Sequence, residues 1–324
     1  MLSAYVPQDG ALDRLIIPGD GAIPPTAVWI DLIDPTPAED TLVEKFVGIA
    51  VPTREEMREI EISSRLYIEN GARYMTATLM YKADTEQPKT TEVTFVLTEH
   101  RLITVRYDEP MPFTLVSNKL CRTCGPAVTG ESVMMDLLEA VIDRAADVLE
   151  RIGADVDKVS HDVFEPDGDS PQSRAYQAIF RSIGRRGEIT SKVRESLLSV
   201  GRVTLFLAHE VEGARWDKEM RAQLKTMQRD LSSLSDHATY LTNKITFLLD
   251  AMIGVVSLEQ NNIIKLFSVA AVVFMPPTLV ASIYGMNFQD MPELRWHIGY
   301  PFALLLMVIA AIVPYVFFKW RKWL

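Results

Sequence analysis

Short apolar runs alternate with polar segments through the first third of the chain. Runs rich in β-branched and aromatic residues, which predict strands, occupy 27–33, 66–69, 72–81, 91–97 and 102–107. Asn70-Gly71 separates the second run from the third, and an Asn-Gly pair between two such runs is a strong hairpin signal. This part of the chain therefore predicts a sheet.

Two segments between these runs have helical spacing instead, at 37–50 and 53–64. Thr53 and Glu56 match a capping box at the start of the second segment. Because helices and strands interleave, residues 1–128 are predicted to form an α/β domain whose sheet is at least partly parallel.

The pattern becomes helical after residue 128 and remains so. Apolar residues keep helical spacing over 131–164, the polar segment 165–171 interrupts it, and a second helix is predicted over 172–212. Further long helical patterning follows, so the segment 129–262 is predicted to be a stalk of long helices.

A heptad seam marks the last part of this stalk. Its positions alternate steps of four and three: Met220, Leu224, Met227, Leu231, Leu234, Ala238, Leu241, Ile245, Leu248, Met252 and Val255. Such a seam is typical of a helix buried in its own domain or of one that joins several copies. Since the pattern continues without a break into an apolar segment, we expect a helix on the order of 100 Å long. We expect its seam to hold copies together.

Two uncharged apolar segments follow, at 266–283 and 298–318. Both are long enough for about 30 Å of hydrocarbon. Tyr300, Tyr315 and Trp320 lie near the edges of the second, where aromatic residues favour the membrane interface. The segment 263–324 is therefore predicted to be a two-helix transmembrane pore domain.

The charges around these spans predict their orientation. The connecting loop contains Asp290 and Glu293 against Arg295. Basic residues lie near the other end of each span, away from this loop: Lys244, Lys265, Lys319, Arg321 and Lys322. The positive-inside rule then places both termini in the cytoplasm and the loop outside.

One face of the first span has the character of a water-filled path. Pro276 and Pro277 remove two backbone donors, so the carbonyls they would have served should face protein or water. The face carries small and hydroxyl groups toward its outer end and larger apolar groups toward the cytoplasm: Ser282, Thr278, Met275, Ala271, Phe267 and Ile264. Two spans cannot enclose a pore, so conduction requires several copies.

Composition excludes several other classes of protein. The formal net charge of −10 argues against nucleic acid as a partner, and no P-loop, nucleophile elbow or paired-carboxylate motif indicates an enzyme. The N-terminus has no signal-peptide pattern. Cys121 and Cys124 form a lone C-x-x-C, for which two ordinary buried thiols are a better interpretation than zinc ligands. No cofactor is expected.

The motif "YGMNF" (284–288), followed by "MPEL" (291–294) and the terminal "KWRKWL" (319–324), resembles the CorA family of divalent-cation channels. The resemblance is close over 257–324, whereas residues 1–256 share only the layout of an α/β domain followed by long helices. It implies a homopentameric funnel in the bacterial inner membrane, with the first span lining the pore. It also implies Mg²⁺ uptake, Co²⁺ and Ni²⁺ as lesser substrates, and closure by intracellular Mg²⁺.

The chemistry of Gly285, Met286 and Asn287 fits a selectivity filter. Mg²⁺ gives up its hydration shell reluctantly, so a ring of neutral Asn287 amides can accept hydrogen bonds from the ion's water without trapping it. We expect Gly285 to let the chain leave helical geometry, Met286 to pack against the turn and Tyr284 to lie at the interface.

Charged residues near the two ends of the pore are assigned supporting roles. Asp290 and Glu293 are expected to attract cations. Lys319, Arg321 and Lys322 are expected to anchor the last helix at anionic headgroups, and the resemblance implies a basic collar near the pore exit.

Two other functions remain open at this stage. A zinc transporter of the same superfamily is one, although that branch typically has Gly-Ile-Asn, and a non-conducting membrane-anchored sensor or scaffold is the other. Regulatory metal sites cannot be placed, because the stalk carboxylates are candidates only by type: Asp217, Glu219, Asp230 and Asp236.

Overall fold

The computed structural model describes residues 1–85, 87–124, 128–164, 172–211, 216–287, 291–292 and 296–321, with side chains over 176–210 in the fourth range. The chain divides into two compact units, Met1–Leu249 and Asp250–Leu324. The proposed boundaries at 128/129 and 262/263 stay a prediction.

A seven-stranded sheet forms the first part of unit Met1–Leu249. Its order is β2-β1-β3-β7-β6-β5-β4, and only β3 and β7 pair in parallel. The strands are β1 Leu2–Gln8, β2 Ala11–Ile17, β3 Trp29–Ile33, β4 Leu66–Glu69, β5 Ala72–Tyr81, β6 Lys89–Leu97 and β7 Leu102–Arg106. The five predicted strands and the partly parallel sheet are confirmed.

Two of the hairpins in this sheet have two-residue turns. In the hairpin of β4 and β5, Asn70 and Gly71 have φ of 50° and 80°, as a two-residue turn with positive φ at both positions requires. The hairpin of β1 and β2 turns in the same way at Asp9 and Gly10, with φ of 46° and 82°. This hairpin of β1 and β2 was not predicted, although its Asp-Gly pair is the same kind of signal.

The short helices of this unit differ partly from expectation. Helix α1, Pro37–Val47, begins with a capping box of Thr36 and Glu39. The single helix predicted over 53–64 is wrong: α2 is Arg54–Met57, with the expected Thr53 cap, and α3 is Ile62–Arg65. Only Met57 of these two helices is buried, so a longer helix would have no core to cover. Helix α4, Met111–Leu120, was not predicted.

Four long helices account for most of the remaining described chain. They are α5 Gly130–Phe164, α6 Gln172–Val211, α7 Lys218–Tyr284 and α8 Gly299–Trp320. Segment 165–171, predicted as a helix breaker, lies outside the described residues. Gly130 starts α5 so close to β7 that a Cβ there would lie 2.5 Å from the Leu102 backbone nitrogen, so the two elements meet backbone to backbone.

Helix α6 covers the open edge of strand β5 beyond the end of β4. Ser199 Oγ accepts a 2.8 Å hydrogen bond from the Thr78 amide, and Ser196 Oγ accepts a 3.4 Å bond from the Met80 amide. These hydroxyls satisfy strand amides that have no neighbouring strand, which protects the edge.

The heptad seam of α7 packs within its own chain. Eight of its positions are buried in the single chain: Leu224, Met227, Leu231, Ala238, Leu241, Ile245, Leu248 and Met252. The seam packs against helices α5 and α6. Leu241 lies 3.9 Å from the position that a Cβ of Gly153 in α5 would take, and Ile245 lies 3.6 Å from the position that a Cβ of Gly187 in α6 would take. The expectation that this seam joins copies is wrong. The two preceding helices supply the apolar surface that a coiled-coil partner would have supplied.

A buried ionic network crosses the parallel strands. Arg106 Nη2 lies 2.8 Å from Asp31 Oδ2, and the two side chains are 6% and 1% exposed. Thr104 Oγ1 donates to Asp31 Oδ1 at 2.7 Å, and Trp29 Nε1 donates to Thr104 Oγ1 at 2.9 Å. The Arg106 guanidinium also stacks on Phe113 of α4 at 4.7 Å. The network fixes the register of β3 on β7, because both strands contribute to it.

Candidate ion-conduction site

Helices α7 and α8 are the two described helices long and apolar enough to cross a membrane, judged by length and composition. They contain the two predicted spans, and α7 continues through Pro276 and Pro277 as one helix. The prolines leave the carbonyls of Val272 and Val273 without an N–H four residues on. The nearby Thr278 hydroxyl donates to the Phe274 carbonyl at 2.7 Å and keeps its lone pairs free to accept.

Each membrane helix has one stripe that is shielded within unit Asp250–Leu324. Val269 on α7 and Ala303 on α8 are buried, and partly buried residues extend both stripes: Ala270, Val273, Pro276, Pro277, Val280 and Tyr284 on α7, and Gly299, Met307, Ala310, Ala311, Pro314 and Phe318 on α8. One shielded stripe on each of two helices is the pattern of a helix pair.

The six residues predicted to line a pore lie on one face of α7. At about 100° per residue, this face is close to opposite the shielded stripe. All six are exposed in the single chain: Ile264, Phe267, Ala271, Met275, Thr278 and Ser282. The face is therefore available to further copies, while α8 accounts for the other side. Their role as pore lining stays a prediction.

The Gly-Met-Asn triplet ends helix α7. The Gly285 amide donates to the Ala281 carbonyl at 2.9 Å, and the Met286 amide donates to the Ile283 carbonyl at 3.3 Å. Helix α7 ends at Tyr284, and Gly285 is not among the residues with positive φ, so its role in letting the chain leave helical geometry stays a prediction. A Cβ at Gly285 would lie 3.0 Å from the Ala281 carbonyl oxygen, which already accepts the Gly285 amide, so a side chain there would crowd this turn.

Gly285→Ala is expected to reduce Mg²⁺ uptake about tenfold. Crowding of this kind costs about 1–3 kcal/mol, and 1.4 kcal/mol is a tenfold change in population. Uptake by cells that depend on the expressed protein measures the effect. Gly254→Ala is the matched control in the same helix, since nothing lies within 4 Å of a Cβ there. Equal uptake by both variants would contradict a space requirement at Gly285.

The other filter residues are accessible in the single chain. Asn287 and Met286 are exposed, and Tyr284 is half-buried. Met286 is 47% exposed, and its packing against the turn stays a prediction. Asn287 lies three residues beyond Tyr284, the last residue of α7.

The flanking charges are only partly described. Asp290, Glu293 and Lys322 lie outside the described residues. Lys319 and Arg321 are exposed at the end of α8, where the Arg321 guanidinium lies 5.9 Å from the Phe317 ring. Their roles stay predictions.

No described residues form a ready metal site outside this region. No group of three or more His, Cys, Asp or Glu side chains within the described ranges is placed to hold a metal ion. The four stalk carboxylates named above are exposed. Cys121 and Cys124 are free thiols, and burial raises the pKa of the Cys121 thiol.

The family model described as CorA-like Mg²⁺ transporter protein matches residues 25–321. The chain belongs to this family. The family consists of transporters rather than enzymes, so the expectations of family and of a non-enzyme are confirmed.

Relatives extend the likeness to CorA proteins over the whole length. A protein of Yersinia pseudotuberculosis called magnesium transport protein CorA is 35% identical over 324 residues, covering 100% of both chains. The resemblance noted at 257–324 thus includes the N-terminal part.

Solved structures confirm the fold. The CorA magnesium transporter from Methanocaldococcus jannaschii matches with a TM-score of 0.75 at 16% identity, covering 100% of this chain and 99% of that one. The ZntB cytoplasmic domain from Vibrio parahaemolyticus matches with a TM-score of 0.58 at 10% identity, covering 78% of this chain and 96% of that one. The predicted α/β domain with long helices and two C-terminal candidate spans is therefore confirmed, while the fold alone does not separate the two branches.

Proposed function

We propose that the chain forms a homopentameric Mg²⁺ uptake channel in the bacterial inner membrane, with both termini in the cytoplasm. The observation that carries this proposal is the exposed face of α7, which lies opposite the shielded stripe of the same helix, together with the exposed Gly285-Met286-Asn287 that directly follows the helix. Family membership and the name of the Yersinia relative support Mg²⁺ as the substrate.

Selection in this proposal acts on the hydrated ion. Asn287 side chains around the axis accept hydrogen bonds from water bound to Mg²⁺, so the ion need not lose its shell. Thr278 and Ser282 add hydroxyl acceptors farther along the same face, and Met275 and Phe267 narrow it. Weak, water-mediated contacts at several depths let the ion leave as readily as it enters.

The membrane potential supplies the driving force. Moving one elementary charge across 100 mV is worth about 2.3 kcal/mol, so a divalent ion gains about 4.6 kcal/mol. Uptake is therefore passive, with no coupled reaction. We further propose that intracellular Mg²⁺ closes the channel and that Co²⁺ and Ni²⁺ pass less readily.

Ion flux into proteoliposomes of defined potential tests the proposal. We expect Mg²⁺ influx that follows an inside-negative potential and does not depend on a pH gradient, with empty liposomes as the control. Zn²⁺ flux that requires a pH gradient would favour the zinc branch instead. Vesicles that contain assembled protein but pass no divalent ion at any potential would favour a sensor or scaffold.

A further inference from the structure

A groove lies on one face of helix α8, toward the end of the second candidate span. It has a volume of about 390 Å³, is here called the α8 groove, and is lined by five side chains of this helix: Ile312, Val313, Val316, Phe317 and Trp320. The last four follow steps of three, one and three residues, so they share a face. All five are at least 50% exposed in the single chain, so the described residues leave the groove uncovered.

This face differs from the pairing surface of the same helix. At about 100° per residue, the centre of the groove lies about 130° around the helix from the shielded stripe. All the small residues of α8 belong to that stripe: Gly299, Ala303, Ala310 and Ala311. Helices pack closely inside a membrane through small residues. The groove has none, so its bulky lining suits a lipid chain better than another helix.

Positive charge lies at the C-terminal end of the groove. Lys319 and Arg321 flank the lining residue Trp320, and both are exposed. The Arg321 guanidinium lies 5.9 Å from the ring of Phe317, another lining residue. The charge of Arg321 is therefore placed directly beside the apolar surface.

Acidic side chains near this end are few. Helix α8 contains no carboxylate. Among the described residues of unit Asp250–Leu324, the side-chain carboxylates are Asp250 and Glu259 of α7. Glu259 lies seven residues before the first span begins at 266, about 10 Å along the helix. Lys319 and Arg321, in contrast, directly follow the second span, where lipid headgroups begin.

An anionic phospholipid has the matching order of groups, an apolar chain followed by a phosphate. A guanidinium can donate two parallel hydrogen bonds to a phosphate, and a lysine ammonium adds a point charge. The indole N–H of Trp320 is a further donor at the depth that tryptophan favours. Two cations favour a lipid with net negative charge over one whose phosphate is balanced by its own ammonium group.

We propose that the α8 groove binds one anionic phospholipid per copy. An acyl chain lies against the five lining residues, and the phosphate lies at Arg321, Lys319 and Trp320. The proposal rests on the proposed function, which places this end of α8 at the cytoplasmic leaflet. It narrows the general anchoring expected of these basic residues to a site for one class of lipid.

Tryptophan quenching by brominated lipids tests the site in the full chain. The vesicles contain equal amounts of phosphatidylglycerol and phosphatidylcholine, with bromine on the acyl chains of one or the other. The emission of the unchanged protein minus that of Trp320→Phe reports Trp320. We expect brominated phosphatidylglycerol to quench Trp320 at least fivefold more effectively than brominated phosphatidylcholine. Equal quenching would overturn the proposal, and no quenching by either lipid would overturn it by showing that protein covers the groove.

Charge variants test the headgroup contact. Arg321→Gln is expected to lower the preference for phosphatidylglycerol about fivefold, the effect of one basic residue near an anionic surface. Lys265→Gln is the matched control, because Lys265 is an exposed cation at the start of the first span. An equal loss in both variants would show a general effect of positive charge and overturn the site.

A groove-filling variant tests the chain contact. Val313→Phe is expected to lower quenching of Trp320 by brominated phosphatidylglycerol several-fold. Leu305→Phe is its control, since Leu305 is 58% exposed on α8 but does not line the groove. Quenching that neither variant changes would remove the acyl chain from the groove.

Mg²⁺ flux into the same vesicles, with the assembled protein quantified, separates this proposal from the proposed function. Protein that conducts Mg²⁺ but shows no lipid preference at Trp320 overturns the lipid site and leaves the channel intact. Protein that shows the preference but passes no ion overturns the channel and leaves the lipid site intact.

Discussion

Asn287→Ala is expected to abolish Mg²⁺ uptake while leaving expression and assembly intact. Alanine cannot accept a hydrogen bond from the ion's bound water, and symmetry repeats the loss in every copy. Asn287→Asp is expected to abolish transport as well, because a ring of carboxylates binds the divalent ion and releases it slowly. Uptake by a strain lacking other Mg²⁺ carriers, with the assembled protein quantified in its membranes, measures both effects.

A matched control separates a filter role from a general sensitivity to amide loss. Asn118→Ala removes an exposed amide from α4 in the other unit, and its uptake should equal that of the unchanged protein. Normal uptake by both Asn287 variants would remove the filter assignment, whatever the protein's other properties.

Asp31→Ala is expected to lower the free energy of unfolding by about 3–5 kcal/mol, because it leaves the buried Arg106 charge without its partner. Thr104 also loses the acceptor of its hydroxyl proton. Denaturant unfolding of the full chain in detergent, followed by tryptophan fluorescence, measures the effect. Trp29 is a local reporter, since its indole donates to Thr104.

An exposed ion pair provides the comparison. Asp157 bonds with Lys244 across α5 and α7 but its side chain is 69% exposed, so Asp157→Ala should cost about 1 kcal/mol or less. The hydrogen bond that Lys244 donates to the Asp157 carboxylate raises the pKa of Lys244, but water screens the pair. Replacing both Asp31 and Arg106 by leucine should recover much of the stability. Equal losses for Asp31→Ala and Asp157→Ala would show that burial does not govern these pairs.

Several elements were predictable because their signals are local. The Asn70-Gly71 turn, the Thr53 cap and the alternating strands depend on residues near one another in the chain, and each formed as expected. The split of segment 53–64 was not predictable in this way, because it depends on whether a core lies beside Ile60 and Ile62. Helix propensity alone cannot report that.

The candidate site shows the same division. The Gly-Met-Asn motif could be recognised from the order of its residues. The face of the first span that carries hydroxyl groups toward its outer end could be recognised from the helical period. The contact that a side chain at position 285 would make could not be predicted from the sequence, because it depends on where the Ala281 carbonyl oxygen lies.

The sequence by itself determined the family and the two candidate spans, and it predicted which face of α7 lines a pore, since these depend on composition, motif and helical period. Only the tertiary structure decided which apolar surfaces are already covered. A heptad seam is the same string whether it faces another copy or its own chain, and here α5 and α6 cover it. Burial of an apolar surface depends on neighbours that are distant in the chain, so the local sequence pattern does not report it.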